Sequence, residues 1–149
     1  PILGNHEYAA GTCLRFLLKE ITEENIADID EKTIKNLMEW QNIGGQRTMD
    51  AFHKLSREEK LDIVEYLENF PLYEEVTVNG KQFVMVHAGL INFSPERTMD
   101  DYEMYELIFK APYYNMVYFP DKYLVTGHLP TKAIYENPVY HSVYKRNYK

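Results

Sequence analysis

With 149 residues, 45% apolar and 26% charged, the chain has the composition of one ordinary globular domain, long enough to bury roughly 70% of its unfolded surface. A formal net charge of −7 argues against a nucleic-acid partner, because phosphate-binding surfaces are built on clustered Lys and Arg. No apolar run approaches the ~20 residues of a membrane span, so no membrane partner is expected, and the chain opens on no basic-then-apolar secretory run. The lone Cys13 excludes an intrachain disulfide and a zinc–thiolate cluster, a usage compatible with a cytoplasmic location.

In chain order, Pro1-Ile2-Leu3 reads as the end of a buried strand that breaks into the polar corner Gly4-Asn5-His6-Glu7. The spacing of Leu14, Leu17, Leu18 and Ile21 predicts a helix over about 7–21. Ile34, Leu37 and Met38 repeat that period, with Asp30 as N-cap. Gly44-Gly45 interrupts the pattern, and a short helix is expected over Thr48–Leu55. Ser56-Arg57-Glu58-Glu59 has the form of a capping box and opens an amphipathic helix whose apolar side carries Leu61, Val64, Tyr66 and Leu67. Pro71 ends the helical block.

From there the pattern is β-rich. Two strand-like runs flank Asn79-Gly80, a strong hairpin signal. The second, Phe83 to Val86, is wholly apolar and is expected to be buried on both faces; it ends on His87-Ala88-Gly89. A helix is expected near Met99 to Phe109, and Lys122–His128 reads as another short buried strand that also ends on a histidine. The tail from Asn137 has strand-like content. Ten of the thirteen tyrosines lie from Tyr102 onward, as amphipathic packing residues rather than a base-stacking platform, given the acidic charge.

Polar residues thus recur at the ends of three apolar runs: Asn5 and His6, His87, and His128. Functional loops of open α/β sheets gather at the carboxyl ends of strands. If the three runs are parallel neighbours, two imidazoles and an amide carbonyl meet there as a metal site of mixed N and O donors. Each has a plainer explanation taken singly. Asn5 suits a helix N-cap, His6 a first-turn surface position, and His87 and His128 hydrogen-bonded strand ends. One explanation covers all four together. His53 and His141 are assigned no functional role.

These residues carry a resemblance. Gly4-Asn5-His6-Glu7, then Val86-His87-Ala88-Gly89-Leu90, then Thr126-Gly127-His128-Leu129-Pro130-Thr131 follow the order seen in calcineurin-like metallophosphoesterases. More narrowly, the chain resembles the phosphoprotein phosphatase branch, including bacterial serine/threonine phosphatases and symmetrical dinucleoside-tetraphosphatases. Gly44-Gly45-Gln46-Arg47-Thr48 is similar to a Gly-Gly-x-x-Thr stretch of the bacterial members.

The resemblance implies an α/β fold: part of a β-sandwich flanked by helices, one domain over 1–149, incomplete at both ends, with a helical cap insert at 8–70. It implies Asn5, His87 and His128 as ligands of the second of two divalent metals (Mn, Fe, Zn, Co or Ni) and His6 as general acid. The implied activity is hydrolysis of a phosphoprotein or a phosphorylated small molecule by in-line attack of a metal-bridging hydroxide. The choice between serine/threonine protein phosphatase and dinucleoside polyphosphate hydrolase stays open here. Lys110, in Leu107-Ile108-Phe109-Lys110-Ala111-Pro112, stands where relatives commonly place a phosphate-holding Arg. The family's first-metal motif, D-x-H, and its G-D-x-x-D-R-G motif are absent from the 149 residues. They are expected upstream of Pro1, and the chain alone is expected to be inactive. Were Pro1 the true beginning, the alternative is a non-catalytic interaction module.

Overall fold

Asn79 and Gly80 both take left-handed backbone angles, φ 50° and 73°, the pairing a two-residue hairpin with right-handed strand twist requires. The turn joins β1 (Tyr73–Val78) to β2 (Lys81–Val86) as an antiparallel pair, with Val78 opposite Lys81 and Tyr73 opposite Val86. β3 (Lys122–Val125) adds to the other side of β2 in parallel, Val84 facing Leu124. The sheet order is therefore β1-β2-β3, with β2 central. The computed structural model describes residues 1–19 and 29–134, so the helical expectation at Ile21, the strand-like tail and His141 lie outside the described residues.

The architecture is mixed α/β, and the chain divides into two units, Pro1–Asn5 with Pro71–Lys149, and His6–Phe70. The first holds the sheet. One sheet face is the core: Val84 and Val86 pack with Leu90, Met99, Tyr102, Leu107, Ile108 and Tyr118, and Tyr73 and Leu124 join from the flanking strands. The expectation that β2 is buried on both faces is corrected, since Phe83 and Met85 are only half-buried; the buried strand expected over 122–128 is likewise corrected, since β3 stops at Val125 and exposes Tyr123 and Val125. On their side the sheet is apolar but open: Phe83 stacks on Tyr123, with ring centroids 5.2 Å apart, and Val78, Tyr123 and Val125 are exposed.

Two further expectations in this unit change. Ile2 and Leu3 are not in a strand; the Leu3 N–H donates to the Pro71 carbonyl at 2.8 Å, without a continued ladder. The single helix expected at Met99–Phe109 is two, a 3₁₀ turn at Met99–Asp101 and α5 at Met104–Ile108. Arg97 is the cause. Its guanidinium donates to the carbonyls of Ile91, Asn92 and Asp101 and grips the Glu106 carboxylate at 2.8 Å, while Glu106 accepts from the Glu103 N–H and caps α5 afresh. The stacked guanidinium also lies 3.8 Å from the Tyr102 ring centroid.

The Arg97 guanidinium, above all, holds the Glu106 carboxyl down to about 2, well below an unfolded glutamate near 4.3. The folded value is the lower one, so the pair stabilises fully above about pH 4.3 and its contribution is lost as pH falls toward 2. Glu106→Gln is expected to reduce the acid-limb slope in unfolding midpoint against pH between about 4.3 and 2; an unchanged slope would assign that acid sensitivity to the other carboxylates held below their ordinary values.

The helical unit contains α1 (Asn5–Leu17, its first residue shared with the sheet unit), α2 (Glu31–Trp40), a π-turn (Gln41–Gly45), α3 (Gln46–Phe52) and α4 (Arg57–Glu68). Its core is Cys13, Leu14, Trp40, Phe52 and Val64. Asp30 caps α2 by accepting the Thr33 N–H at 2.6 Å. Ser56 and Glu59 form the reciprocal capping box of α4, with contacts of 2.8 and 3.2 Å. The apolar stripe of α2 is not fully buried: Ile34 and Met38 are 48% and 58% exposed, as is Tyr66 on α4 at 61%.

The glycine pair does more than interrupt a helix. Gly44 sits at φ 110°, and a methyl on Gly45 would stand 2.5 Å from the Trp40 indole and 2.7 Å from its carbonyl. Gly45→Ala is therefore expected to cost about 1–3 kcal/mol by overpacking against a buried ring, read as a lower denaturant midpoint with blue-to-red change in the single tryptophan's emission. An unshifted midpoint would mean that Trp40 has room the packing does not indicate.

Candidate metal centre

β2 and β3 run in parallel and end side by side, so the residues that follow them share one rim of the sheet. His87 comes directly after Val86, and His128 three residues after Val125. Backbone bonds fix their spacing: the His87 carbonyl accepts the N–H groups of Gly127 and of His128, each at 2.9 Å. On the other flank, the Ala88 N–H donates to the Leu107 carbonyl of α5 at 2.8 Å. The third contributor, Asn5, opens α1 after the segment tied to Pro71.

These elements bring three predicted residues together. His87 Nε2 lies 2.8 Å from Asn5 Oδ1 and 3.1 Å from His128 Nδ1. The two imidazole rings meet edge to face, centroids 5.1 Å apart at 69°. All three side chains are half-buried, sheltered but reachable from solvent. Asn5 thus spends its carbonyl oxygen on His87, not on the plain helix-capping role alone.

The donor set tests whether a metal fits. A neutral imidazole has one N–H and one lone pair, and an amide oxygen is an acceptor only. One proton on His87 Nε2 can be shared between two acceptors, whereas a cation takes the lone pairs of all three atoms at once. Donors each ~2.1 Å from one cation and at right angles lie ~3.0 Å apart, close to the two distances seen here. Imidazole and amide oxygen suit borderline divalent ions such as Mn, Fe, Co, Ni or Zn. The residues present fit such an ion. All three donors are neutral, and among the described residues no group of three His, Cys, Asp or Glu converges.

His6 follows Asn5 in the first turn of α1, exposed, and belongs to the helical unit. Lys110 is exposed, its ammonium 5.8 Å from the Tyr105 ring centroid; its backbone carbonyl lies close against Gly89. Cys13 is buried in the helical unit, its thiol toward the Asn36 carbonyl at 3.7 Å, and burial pushes that thiol up from its ordinary value. It is no candidate nucleophile. Sequence reasoning missed the carbonyl of His87 as a backbone clamp. The glycines at these corners suit a close backbone approach, but nothing in the sequence shows that the segment approaching Gly89 is Lys110–Pro112.

No protein-family model, curated protein or solved structure matches this chain. Among the described residues no helix is long and apolar enough to cross a membrane.

Proposed function

We propose that this chain carries one metal-holding half of a phosphoester hydrolase of the metallophosphoesterase kind, most closely a serine/threonine protein phosphatase. One observation carries the reading: His87 Nε2 within 3.1 Å of both Asn5 Oδ1 and His128 Nδ1, from positions 82 and 41 residues away in sequence. The order of these donors along the chain, and the corners that present them, support it further. The finer fold that goes with this reading is a β-sandwich with residues 8–70 as a cap. The open apolar side of the sheet, with Phe83, Met85, Tyr123 and Val125 on one face, supports a second layer there.

In this proposal Asn5, His87 and His128 hold a divalent ion. When bound, that ion supplies Lewis-acid polarisation of a phosphoryl oxygen and lowers the pKa of a water molecule. His6 hands a proton to the leaving oxygen and takes it back from water, a role of roughly 10²–10⁴ in rate. Lys110 offers a point charge for substrate phosphate, without the bidentate fork of an arginine. Substrates are phosphoproteins, or in the closest variant dinucleoside polyphosphates. A second reading, a binding module without turnover, is favoured by the all-neutral donor set, which leaves the charge of a divalent ion uncompensated.

The test is hydrolysis by the natural protein, assayed on a phosphopeptide and on diadenosine tetraphosphate with added manganese. Expected is chelator-sensitive turnover that His6→Asn lowers by roughly 10²-fold or more while metal content is kept. Turnover that survives both chelation and His6→Asn, or no turnover on either substrate, overturns the hydrolase reading. Metal binding without turnover supports the module.

A further inference from the structure

The turn that carries His87 is held from two sides, each with a glycine. On the β3 side stands Gly127, whose N–H donates to the His87 carbonyl. On the α5 side stands Gly89, pressed against the chain at Lys110–Pro112. A methyl group on Gly89 would lie 2.6 Å from the Pro112 nitrogen and 2.9 Å from both the Ala111 carbonyl carbon and the Lys110 oxygen. All three are backbone atoms, which cannot swing aside as the end of a flexible side chain does. Gly89 is not among the left-handed positions of the described residues, so what it needs is room and not backbone freedom. A methyl on Gly127 meets only the His87 oxygen, at 3.8 Å, an ordinary van der Waals contact.

We infer that Gly89, and not Gly127, is the glycine that positions the three-donor cluster. Its missing side chain lets the Lys110–Pro112 backbone close against the His87 turn. That contact and the Ala88–Leu107 hydrogen bond then fix where the imidazole of His87 stands relative to the His128 imidazole and the Asn5 amide. Each histidine has a glycine within two residues of it, Gly89 after His87 and Gly127 before His128, and nothing in the sequence ranks them. Their surroundings make them unequal: one is a spacer that alanine can replace, the other a fitted contact.

The inference concerns the arrangement of two rings, and only its second readout rests on the metal reading. The experiment compares the full chain with Gly89→Ala, Gly127→Ala and Pro112→Gly, the last loosening the same wall without adding an atom. The first readout is the proton–proton Overhauser contact between the His87 and His128 rings in the metal-free protein. The second is Co²⁺ affinity by titration. Expected is a wild-type ring contact in Gly127→Ala with affinity within about threefold, and its loss in Gly89→Ala with affinity lowered about 10–100-fold, the range for groups that orient a ligand. Pro112→Gly is expected to weaken both in the same direction, and decides the matter if Gly89→Ala does not fold. A role confined to stability would lower the unfolding midpoint and leave the ring contact in place. The inference is overturned if folded Gly89→Ala keeps the contact, if Gly127→Ala loses it, or if Gly89→Ala fails to fold and Pro112→Gly matches wild type. A wild type that shows the ring contact yet binds no Co²⁺ counts against the metal reading alone, and the ring contacts of the variants still decide the role of Gly89.

Discussion

Replacing His87 with alanine is expected to lower the affinity of this chain for Mn²⁺ or Co²⁺ by more than about 100-fold, beyond the 10–100-fold that follows loss of an outer-shell partner. The reason is its central place: His87 Nε2 is the atom that touches both Asn5 and His128. Removing it leaves two neutral donors, too few to displace hydration water from a divalent ion. His128→Ala removes one edge of the cluster and should cost less than His87→Ala. The metal-free protein should change little, within about 1 kcal/mol, because the ring is half-buried and leaves no deep core cavity. Calorimetric titration of wild type, His87→Ala, His128→Ala and the double variant reads the affinities, and denaturant unfolding without metal reads the stability. Equal metal content in wild type and the double variant would refute the assignment of these ligands.

Leu107→Ala has the largest expected effect on stability. Its side chain is fully buried, at 0% exposure, among Val84, Val86, Leu90 and Ile108. Cutting it back removes transfer free energy and leaves a cavity, together about 2–5 kcal/mol. In a domain of this size that corresponds to a fall in thermal midpoint of roughly 2–4 °C per kcal/mol. The substitution keeps the carbonyl that receives the Ala88 N–H but loosens the seating of α5, so it reaches the His87 turn as well. Tyr113→Ala, at a side chain 73% exposed, is the control and should fall within about 0.5 kcal/mol. Comparable losses for both would contradict the placement of the core.

Local chemistry was the legible part of the fold. The Ser56–Glu59 box, the Asp30 cap and the Asn79-Gly80 turn are each decided by two or three adjacent residues, and each stands as the residue types predict. What depended on distant partners was not legible. The periodicity of Met99–Phe109 suggested one helix because nothing in it reveals that Arg97 takes the Asp101 carbonyl and leaves Glu103 to start another. The apolar run Phe83–Val86 gave no sign of which face would be covered. Ile2-Leu3 looked like a strand but has one backbone bond to Pro71 where a strand needs a ladder.

At the site, the polar residues stood out because each follows an apolar run and has glycine beside it. The parallel pairing of β2 with β3 then brings His87 and His128 together, as neighbouring strand ends must meet. Which nitrogen of each ring faces inward, Nε2 of one and Nδ1 of the other, is set by how the two turns leave the sheet and has no signature in the sequence. The contact between Gly89 and the Lys110–Pro112 backbone is likewise a property of packing alone.

The most direct measurement of the shared cation is a Zn²⁺ titration of the full chain, labelled with ¹⁵N-histidine and followed through the ring nitrogens. The account predicts that at one equivalent Nε2 of His87 and Nδ1 of His128 shift together, while both nitrogens of His53 in the helical unit stay in place. Shifts spread evenly over the histidines, or none at the rings of His87 and His128, would contradict it.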